Sequence, residues 1–562
     1  MAEWQKQLEQ FLRRRRRPIW AGLFLALALL YLASASTELG GGLGGDDAQY
    51  LLLARALAQG QGYVDLYLPQ HPPHTKYPPL FPVLLVPFTW LGDYQLFGSH
   101  LFLAVLALTA PFALAGWARR QGYSETAALG VLLLTATIPR YYQFLLNLLS
   151  EIPFMAFCYF ALWWMARAGE QPKSRDLLIV TLATLAALFT RTAGIALAAA
   201  IGIELVRRLE FRRLRLARLP AFLIYGAVVA GVFGAWLVRN RIAGGAGLGY
   251  LQEFLLKDVY RPDLGAAGWA EILGRTFTRA YFYLTLLAMQ VTLGSIFYLD
   301  NEIPISFVPL LIPIAVGWIS RLRRPDRSAE GFFLFSAIVM SAWWYNDDRF
   351  VVPLLPLASF YLLLGCRIVL GWLWQRFRLA SPRARALAGI AGLVILSHQT
   401  WTLARLVQSQ HTDRLEPHEP VHLAGFGTWA IPVINWAKYD WACFSEYQLE
   451  LLTRVQIIYR ITEARVPPGQ VILSRKPTLT AWFSDRPSVC YLFTEDAKAQ
   501  WEFLRKNRVA YFQVRYFDRE TQALFASCPQ CFRMAVGFPE GYPALYKIAA
   551  YPDRFDNLPK SP

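Results

Sequence analysis

The stretch RRRRRPIWAGLFLALALLYLASA, residues 13–35, sets five consecutive arginines against an apolar run that begins at Ile19. That run has close to the ~20 residues a helix needs to cross a bilayer. Arginines at one end of such a run mark the side that stays in the cytoplasm. No small-x-small cleavage site with a soluble chain behind it follows, so the run reads as an uncleaved first span rather than a signal peptide. Its order, basic then apolar, recurs along the chain and fixes the fold class.

The 562 residues are 55% hydrophobic, 15% aromatic and only 17% charged. Soluble domains carry about 25% charged residues, so the composition points to a bilayer. The net charge of +17 would suit nucleic acid, but its distribution excludes that reading. Basic clusters fall at Arg13–Arg17, Arg119–Arg120, Arg167–Arg175, Arg207–Arg218, Arg321–Arg327 and Arg376–Arg385. Two apolar segments separate each cluster from the next, so all six can face the cytoplasm. About eleven spans are expected, near 19–36, 97–117, 124–141, 152–167, 177–190, 192–206, 220–238, 303–320, 331–345, 350–373 and 386–404. An odd number puts the C-terminus outside. The predicted fold is a polytopic α-helical membrane protein over 1–404, with an extracytoplasmic α/β domain over 405–562.

Two external loops are long. The first, 37–97, holds GGLGGDDAQYLLLARALAQGQGY (41–63) and HPPHTKYPPLFPVLLVPF (71–88). Leu51, Ala54, Leu57 and Ala58 share a helical face, Gly60 and Gly62 end that helix, and the prolines forbid one long span. Short juxtamembrane helices lying along the membrane surface are expected here. The second loop, 239–301, mixes glycine-rich and amphipathic pieces.

Beyond Leu403 the chain turns polar. PPGQVILSRKP (467–477) reads as turn then strand, SVCYLF (488–493) and VAYFQVRYF (509–517) as strands, and EDAKAQWEFLRKN (495–507) as a helix. Cys443, Cys490, Cys528 and Cys531 fall in this part. An oxidising compartment allows disulfides there, and CPQC (528–531) reads as a turn such a bond could close rather than a redox or zinc site. Cys158 and Cys366 lie in spans and read as packing residues.

Ionisable groups near a membrane are costly and tend to be functional. At the external ends of the spans they are Asp46, Asp47, Lys76, Arg140, Glu151, Arg191, Arg239, Arg241, Asp347, Asp348 and Arg349. Carboxylates there can act as a general base, while lysine and arginine suit a phosphate. Together they describe group transfer from a lipid-linked phosphate donor. Structural readings stand beside this one. Asp46 could cap a helix that begins at Asp47, Glu151 could be a helix-start carboxylate, Asp347–Arg349 could be a solvated turn, and Arg239 and Arg241 could snorkel. His71 and His74 are given no role.

The ordered set DDAQYLLLARAL (46–57), KYPPLFPVLL (76–85), SEIPF (150–154), LVRN (237–240), DDRFVVPLLPL (347–357) and VPPGQVILS (466–474) resembles the GT-C superfamily of membrane glycosyltransferases, in the protein O-mannosyltransferase and aminoarabinose transferase branch. The second acid of the pair is often Glu in that family and is Asp47 here. The resemblance implies a polyprenyl-phosphate-linked sugar donor and transfer with inversion, on the external face of the inner membrane, to an acceptor hydroxyl or amine. It implies Asp46, with Asp47, in the catalytic role. Lys76, Arg349, Arg239 and Arg241 would hold the donor phosphate, and Glu151, Tyr50, Asp347 and Asp348 the acceptor or sugar. No metal or other cofactor is expected. A flippase for lipid-linked sugars, an O-antigen-ligase-like transferase and a structural envelope subunit are the alternatives. The sugar, the acceptor and the oligomeric state are not legible.

Overall fold

The computed structural model describes residues 2–35, 39, 45–169, 172–208, 219–244, 253–259, 261, 264–293, 308–376, 393–405, 407, 421–423, 427–429, 446–515, 518–538 and 543–552. Its first part is helical: α1 (Ala2–Arg14), α2 (Arg16–Leu32), α3 (Asp46–Ala58), α4 (Leu80–Thr89), α5 (Gln95–Ala107), α6 (Thr109–Arg120), α7 (Glu125–Ala136), α8 (Pro139–Gln143), α9 (Glu151–Ala168), α10 (Ser174–Thr190), α11 (Ile195–Arg207) and α12 (Leu219–Ile242). There follow α13 (Trp269–Leu293), α14 (Val308–Arg321), α15 (Ser328–Ala342), α16 (Leu355–Arg376) and α17 (393–405).

The helix exteriors are apolar, and the contact faces combine an apolar core with a few buried polar groups. Leu25, Leu29, Val105, Leu178, Leu182 and Val232 are exposed, as a lipid-facing surface requires. Thr181 and Thr184 stay inside and donate their hydroxyls to the carbonyls of Leu177 and Val180. Helix α9 packs between α6 and α10, and α14 lies along α16. That last crossing is close because it is made of glycine: a Cβ on Gly317 would fall 2.0 Å from the Tyr361 carbonyl oxygen, and one on Gly365 1.7 Å from that of Pro313.

Three described helices are long and apolar enough to cross a membrane, 92–120, 221–242 and 348–376, and four shorter apolar ones accompany them. The expected eleven spans are therefore not all present as long uninterrupted helices. Helix α13 lies within the stretch expected to be an external loop, and Tyr283, Leu287, Ala288 and Val291 of its second half are buried. Arg275 and Arg279 in its first half dilute the hydropathy that would have marked it.

The C-terminal part carries α18 (Glu446–Arg465), α19 (Pro477–Ser484), α20 (Ala497–Lys506) and α21 (Arg519–Ser527), a short hairpin of β1 (Val421–Leu423) and β2 (Gly427–Trp429), and five further strands. These are β3 (Val471–Ser474), β4 (Ser488–Val489), β5 (Val509–Val514), β6 (Phe532–Gly537) and β7 (Ala544–Ile548), in the order β4-β3-β5-β7-β6. Strands β4, β3 and β5 run parallel, while β7 is antiparallel to β5 and to β6. Trp501, Phe512, Leu524 and Phe532 build a core under the sheet, and a disulfide joins Cys528 to Cys531. Cys443 lies outside the described residues.

This part is docked on the first loop. The Ser488 amide donates to the Tyr67 carbonyl at 2.6 Å and the Thr478 hydroxyl to the Gly45 carbonyl at 2.9 Å. Arg55 lies over the Trp482 ring at 4.7 Å.

Candidate active site

Helix α3 begins at Asp46, with Gly45 before it at φ 82°, a left-handed conformation that glycine adopts without strain. Asp46 does not cap the helix through its side chain. Its carboxylate instead accepts from Arg349 Nη1 at 2.6 Å and from the Tyr77 hydroxyl at 2.9 Å. Burial pushes this carboxyl upward, but the charge and hydrogen bond of Arg349, then Tyr77 and Lys76, outweigh it and hold it below the ordinary range.

Asp47 differs. It is 1% exposed, one oxygen accepts from the Ala48 amide at 2.9 Å, and the other has no hydrogen-bond partner. Burial, with the charge of Asp46 added, raises this carboxyl to about 7. The two neighbours are thus split: Asp46 stays an anion at the cavity wall while Asp47 is buried behind it. Nor does α3 lie loosely on a surface, because Ala48, Tyr50, Leu51, Leu53, Ala54 and Ala56 are all buried.

Arg349 is the hub. Beside Asp46 it approaches Asp347 Oδ2 at 3.0 Å and Glu151 Oε1 at 3.9 Å, and its amide donates to Asp347 Oδ1 at 3.0 Å. Burial raises Asp347 to about 6, against the lowering effect of Arg349. Glu151, 1% exposed, opens α9 and pairs with Arg191, whose guanidinium also donates to Ser150 Oγ at 3.1 Å. The Tyr50 hydroxyl meets that same Ser150 Oγ at 3.0 Å. Arg140 pairs with Asp348. Residues far apart in sequence, Asp46, Tyr50, Arg140, Glu151, Arg191, Asp347, Asp348 and Arg349, therefore form one connected network.

Lys76 lines a polar cavity of about 270 Å³ together with Asp46, Gln49, Asp65, Thr75, Tyr77 and Thr478. Its side chain is 48% exposed and its ammonium pairs with Glu253 at 2.9 Å. The loop that carries it is held from both sides. The Tyr77 amide donates to His74 Nε2 at 2.8 Å, so Nδ1 bears the proton that bonds Asp65 at 2.7 Å, and Gln49 donates to Asp65 at 2.8 Å. His74, given no role from sequence, is a structural pin.

Arg239 and Arg241 are not brought to Asp46. Arg239 donates to the carbonyl of His74 and to Asn240 Oδ1 at 3.0 Å, and lies 5.2 Å from the Trp236 ring. Asn240 donates to the Thr75 carbonyl at 3.0 Å. Arg239 is thus a strap on the loop before Lys76, and Arg241 is exposed. Tyr77, which orients Asp46, was missed from sequence; its place beside Lys76 in the proline-rich loop was the available signal. Among the described residues no group of three metal-ligating side chains could hold an ion.

The family model for dolichyl-phosphate-mannose-protein mannosyltransferase matches residues 76–238. No curated protein sequence matches. Among solved structures, ArnT from Cupriavidus metallidurans bound to undecaprenyl phosphate is similar at a TM-score of 0.53 and 13% identity, over 94% of this chain and 98% of that one. The archaeal oligosaccharyltransferase AglB from Archaeoglobus fulgidus, in complex with an inhibitory peptide and a dolichol-phosphate, is similar at 0.54 and 13% identity, over 97% of this chain and 75% of that one. At such identities the likeness is one of fold.

Proposed function

We propose that this chain, similar in fold to ArnT and AglB and matched over residues 76–238 by the mannosyltransferase model, is a GT-C membrane glycosyltransferase that transfers a sugar from a polyprenyl-phosphate donor to an acceptor hydroxyl or amine, with inversion. The observation that carries this reading is the Asp46 carboxylate, kept ionised by Arg349 and Tyr77 and presented to a polar cavity that Lys76 also lines. The solved relatives of similar fold hold undecaprenyl phosphate and dolichol-phosphate, which supports the donor class.

Asp46 takes the acceptor proton as the acceptor heteroatom bonds to the anomeric carbon. The bond from that carbon to the phosphate oxygen breaks, and polyprenyl phosphate departs with the electron pair. Lys76 and Arg349 stabilise its charge. Arg349 already serves three carboxylates, so an arriving phosphate competes for it. Each share of Arg349 that the phosphate takes makes Asp46 more basic, which couples donor binding to base strength. Asp47 stays behind the reacting centre. Glu151, Tyr50, Asp347 and Asp348 orient Arg349 and border the acceptor side. In this reading the cytoplasmic N-terminus and the external region from residue 405 place the cavity on the outer face of the inner membrane.

The test is transfer of radiolabelled sugar from a panel of polyprenyl-phosphate sugars into envelope fractions. Wild type labels a fraction and Asp46→Asn falls by about two to four orders of magnitude, the usual size of a general-base contribution. Equal labelling by both removes Asp46 from the role.

A further inference from the structure

Gln49 lies one turn along α3 from Asp46, on the same helical face, and both line the cavity of about 270 Å³. Asp65 lines it too, from the loop between α3 and α4. That loop doubles back on itself. The Asp65 amide donates to the Pro72 carbonyl at 2.9 Å and the His74 amide to the Tyr63 carbonyl at 2.8 Å. Two residues on, the Tyr67 carbonyl accepts from the Ser488 amide of the C-terminal sheet. Backbone bonds on both sides therefore hold Asp65 at the cavity, whatever its side chain does.

The side chains of Asp65 and Gln49 are joined but not saturated. The Gln49 amide nitrogen and His74 Nδ1 both donate to Asp65 Oδ1, at 2.8 and 2.7 Å. The other two oxygens, Asp65 Oδ2 and Gln49 Oε1, accept no hydrogen bond among the described residues. Gln49 is 5% exposed, and buried polar atoms are normally bonded. Both open atoms can only accept: one is a carboxylate oxygen, the other an amide carbonyl whose nitrogen is already turned to Asp65. Each therefore needs a ligand that brings a proton donor. A phosphodiester brings none. It is also repelled by the Asp65 carboxylate, which no lysine or arginine pairs with among the described residues. Sugar hydroxyls meet both requirements.

We infer that Asp65 and Gln49 form the subsite that reads hydroxyls of the transferred sugar, accepting from them through Oδ2 and Oε1. This rests on the transfer reading, which supplies the donor and assigns its phosphate to Lys76. A single anomeric oxygen joins the sugar to that phosphate. A cavity that Lys76, Gln49 and Asp65 line together therefore receives the ring wherever it receives the phosphate. The subsite sets which sugar is accepted and how its anomeric carbon is turned, while Asp46 stays the base.

The full chain in detergent is titrated with a short-chain polyprenyl phosphate and with a panel of monosaccharides carried on that same lipid phosphate. The readout is the ratio of sugar-lipid to bare-lipid affinity for the panel member that wild type binds best, with thermal midpoints checking folding. Asp65→Asn is the chief variant. Its remaining oxygen still accepts from His74 and Gln49, while the open position becomes a donor. Wild type should prefer the sugar lipid by about tenfold or more, and Asp65→Asn should lose that preference with bare-lipid affinity within a factor of about three. Gln49→Met, whose thioether is a poor acceptor, should do the same, and it decides if Asp65→Asn fails to fold. Equal losses for both lipids would make Asp65 a scaffold residue only, and an unchanged ratio in the folded variants would leave the two oxygens unused. Either result overturns the subsite. So does a wild type that binds every sugar lipid no better than the bare one, although the lipid-phosphate reading then stands. A wild type that binds neither kind of lipid refutes the transfer reading itself, and the subsite with it.

Discussion

Arg349 donates to Asp46 at 2.6 Å although 303 positions separate them in the chain. One residue opens α3 and the other is the second residue of the long apolar helix 348–376. Their contact ties the two ends of the helical region together at the cavity and decides the protonation of the base.

Removing Arg191 leaves Glu151 buried with Arg349 3.9 Å away as its remaining cation. Breaking a buried pair from one side costs about 3–5 kcal/mol. Arg191→Ala should lower the thermal midpoint of the detergent-solubilised protein markedly, and Arg191→Ala with Glu151→Gln should recover much of the loss. A double variant no more stable than the single one contradicts the pairing.

Asp47 gives a pH signature. Its carboxyl sits at about 7 in the folded chain, against about 3.9 in an unfolded one. Between these values the folded state binds more protons, so this group makes stability fall as pH rises and has no further effect above the window. Asp47→Asn removes the penalty. Its thermal midpoint, compared with wild type, should gain from about pH 4 to about pH 7 and level off above. A difference independent of pH would show that Asp47 ionises normally.

Gly45 adopts φ 82°, and a Cβ there would sit 2.6 Å from Thr478 Oγ1. Gly45→Ala should cost about 1–2 kcal/mol from backbone strain alone and also push the C-terminal sheet away from the α3 entry. Adding Thr478→Ala should relieve the clash at the cost of the hydroxyl's bond to the Gly45 carbonyl, and should not restore the backbone part. Full recovery in a thermal-shift measurement would refute the strain.

Arg239 separates a strap from a phosphate ligand. Arg239→Gln loses a part-buried hydrogen bond to the His74 carbonyl, and a bond from a charged donor contributes about 1.5–3 kcal/mol. The account expects a lower midpoint with polyprenyl-phosphate affinity within a factor of about three, well under 1.4 kcal/mol. A tenfold loss of affinity at unchanged stability would return Arg239 to the clamp.

Much of this was legible from local sequence. Gly60 and Gly62 do end α3, with φ of 71° and 85°, and the basic clusters recur with apolar segments between them. The acidic pair, Lys76, Glu151 and Arg349 stand out because charge beside apolar runs is rare. What spacing does not carry is partnership. Nothing local says that Arg349 turns to Asp46, that Arg239 is taken by a backbone carbonyl, or that Asp47 points inward while Asp46 faces the cavity. Helix α13 escaped because its first half is polar, and β6 and β7 because FRMAVG and ALYKI are too short for alternation to stand out. The strand order β4-β3-β5-β7-β6 is likewise displayed only by the folded sheet.

The central claim is that Lys76 and Arg349 hold a lipid phosphate beside Asp46. Wild type, Lys76→Ala and Arg349→Ala are to be purified in mild detergent and compared for polyprenyl-phosphate retention by native mass spectrometry. The account predicts a lipid adduct on wild type that is lost in at least one folded variant. Equal retention by all three, or none on wild type, contradicts it.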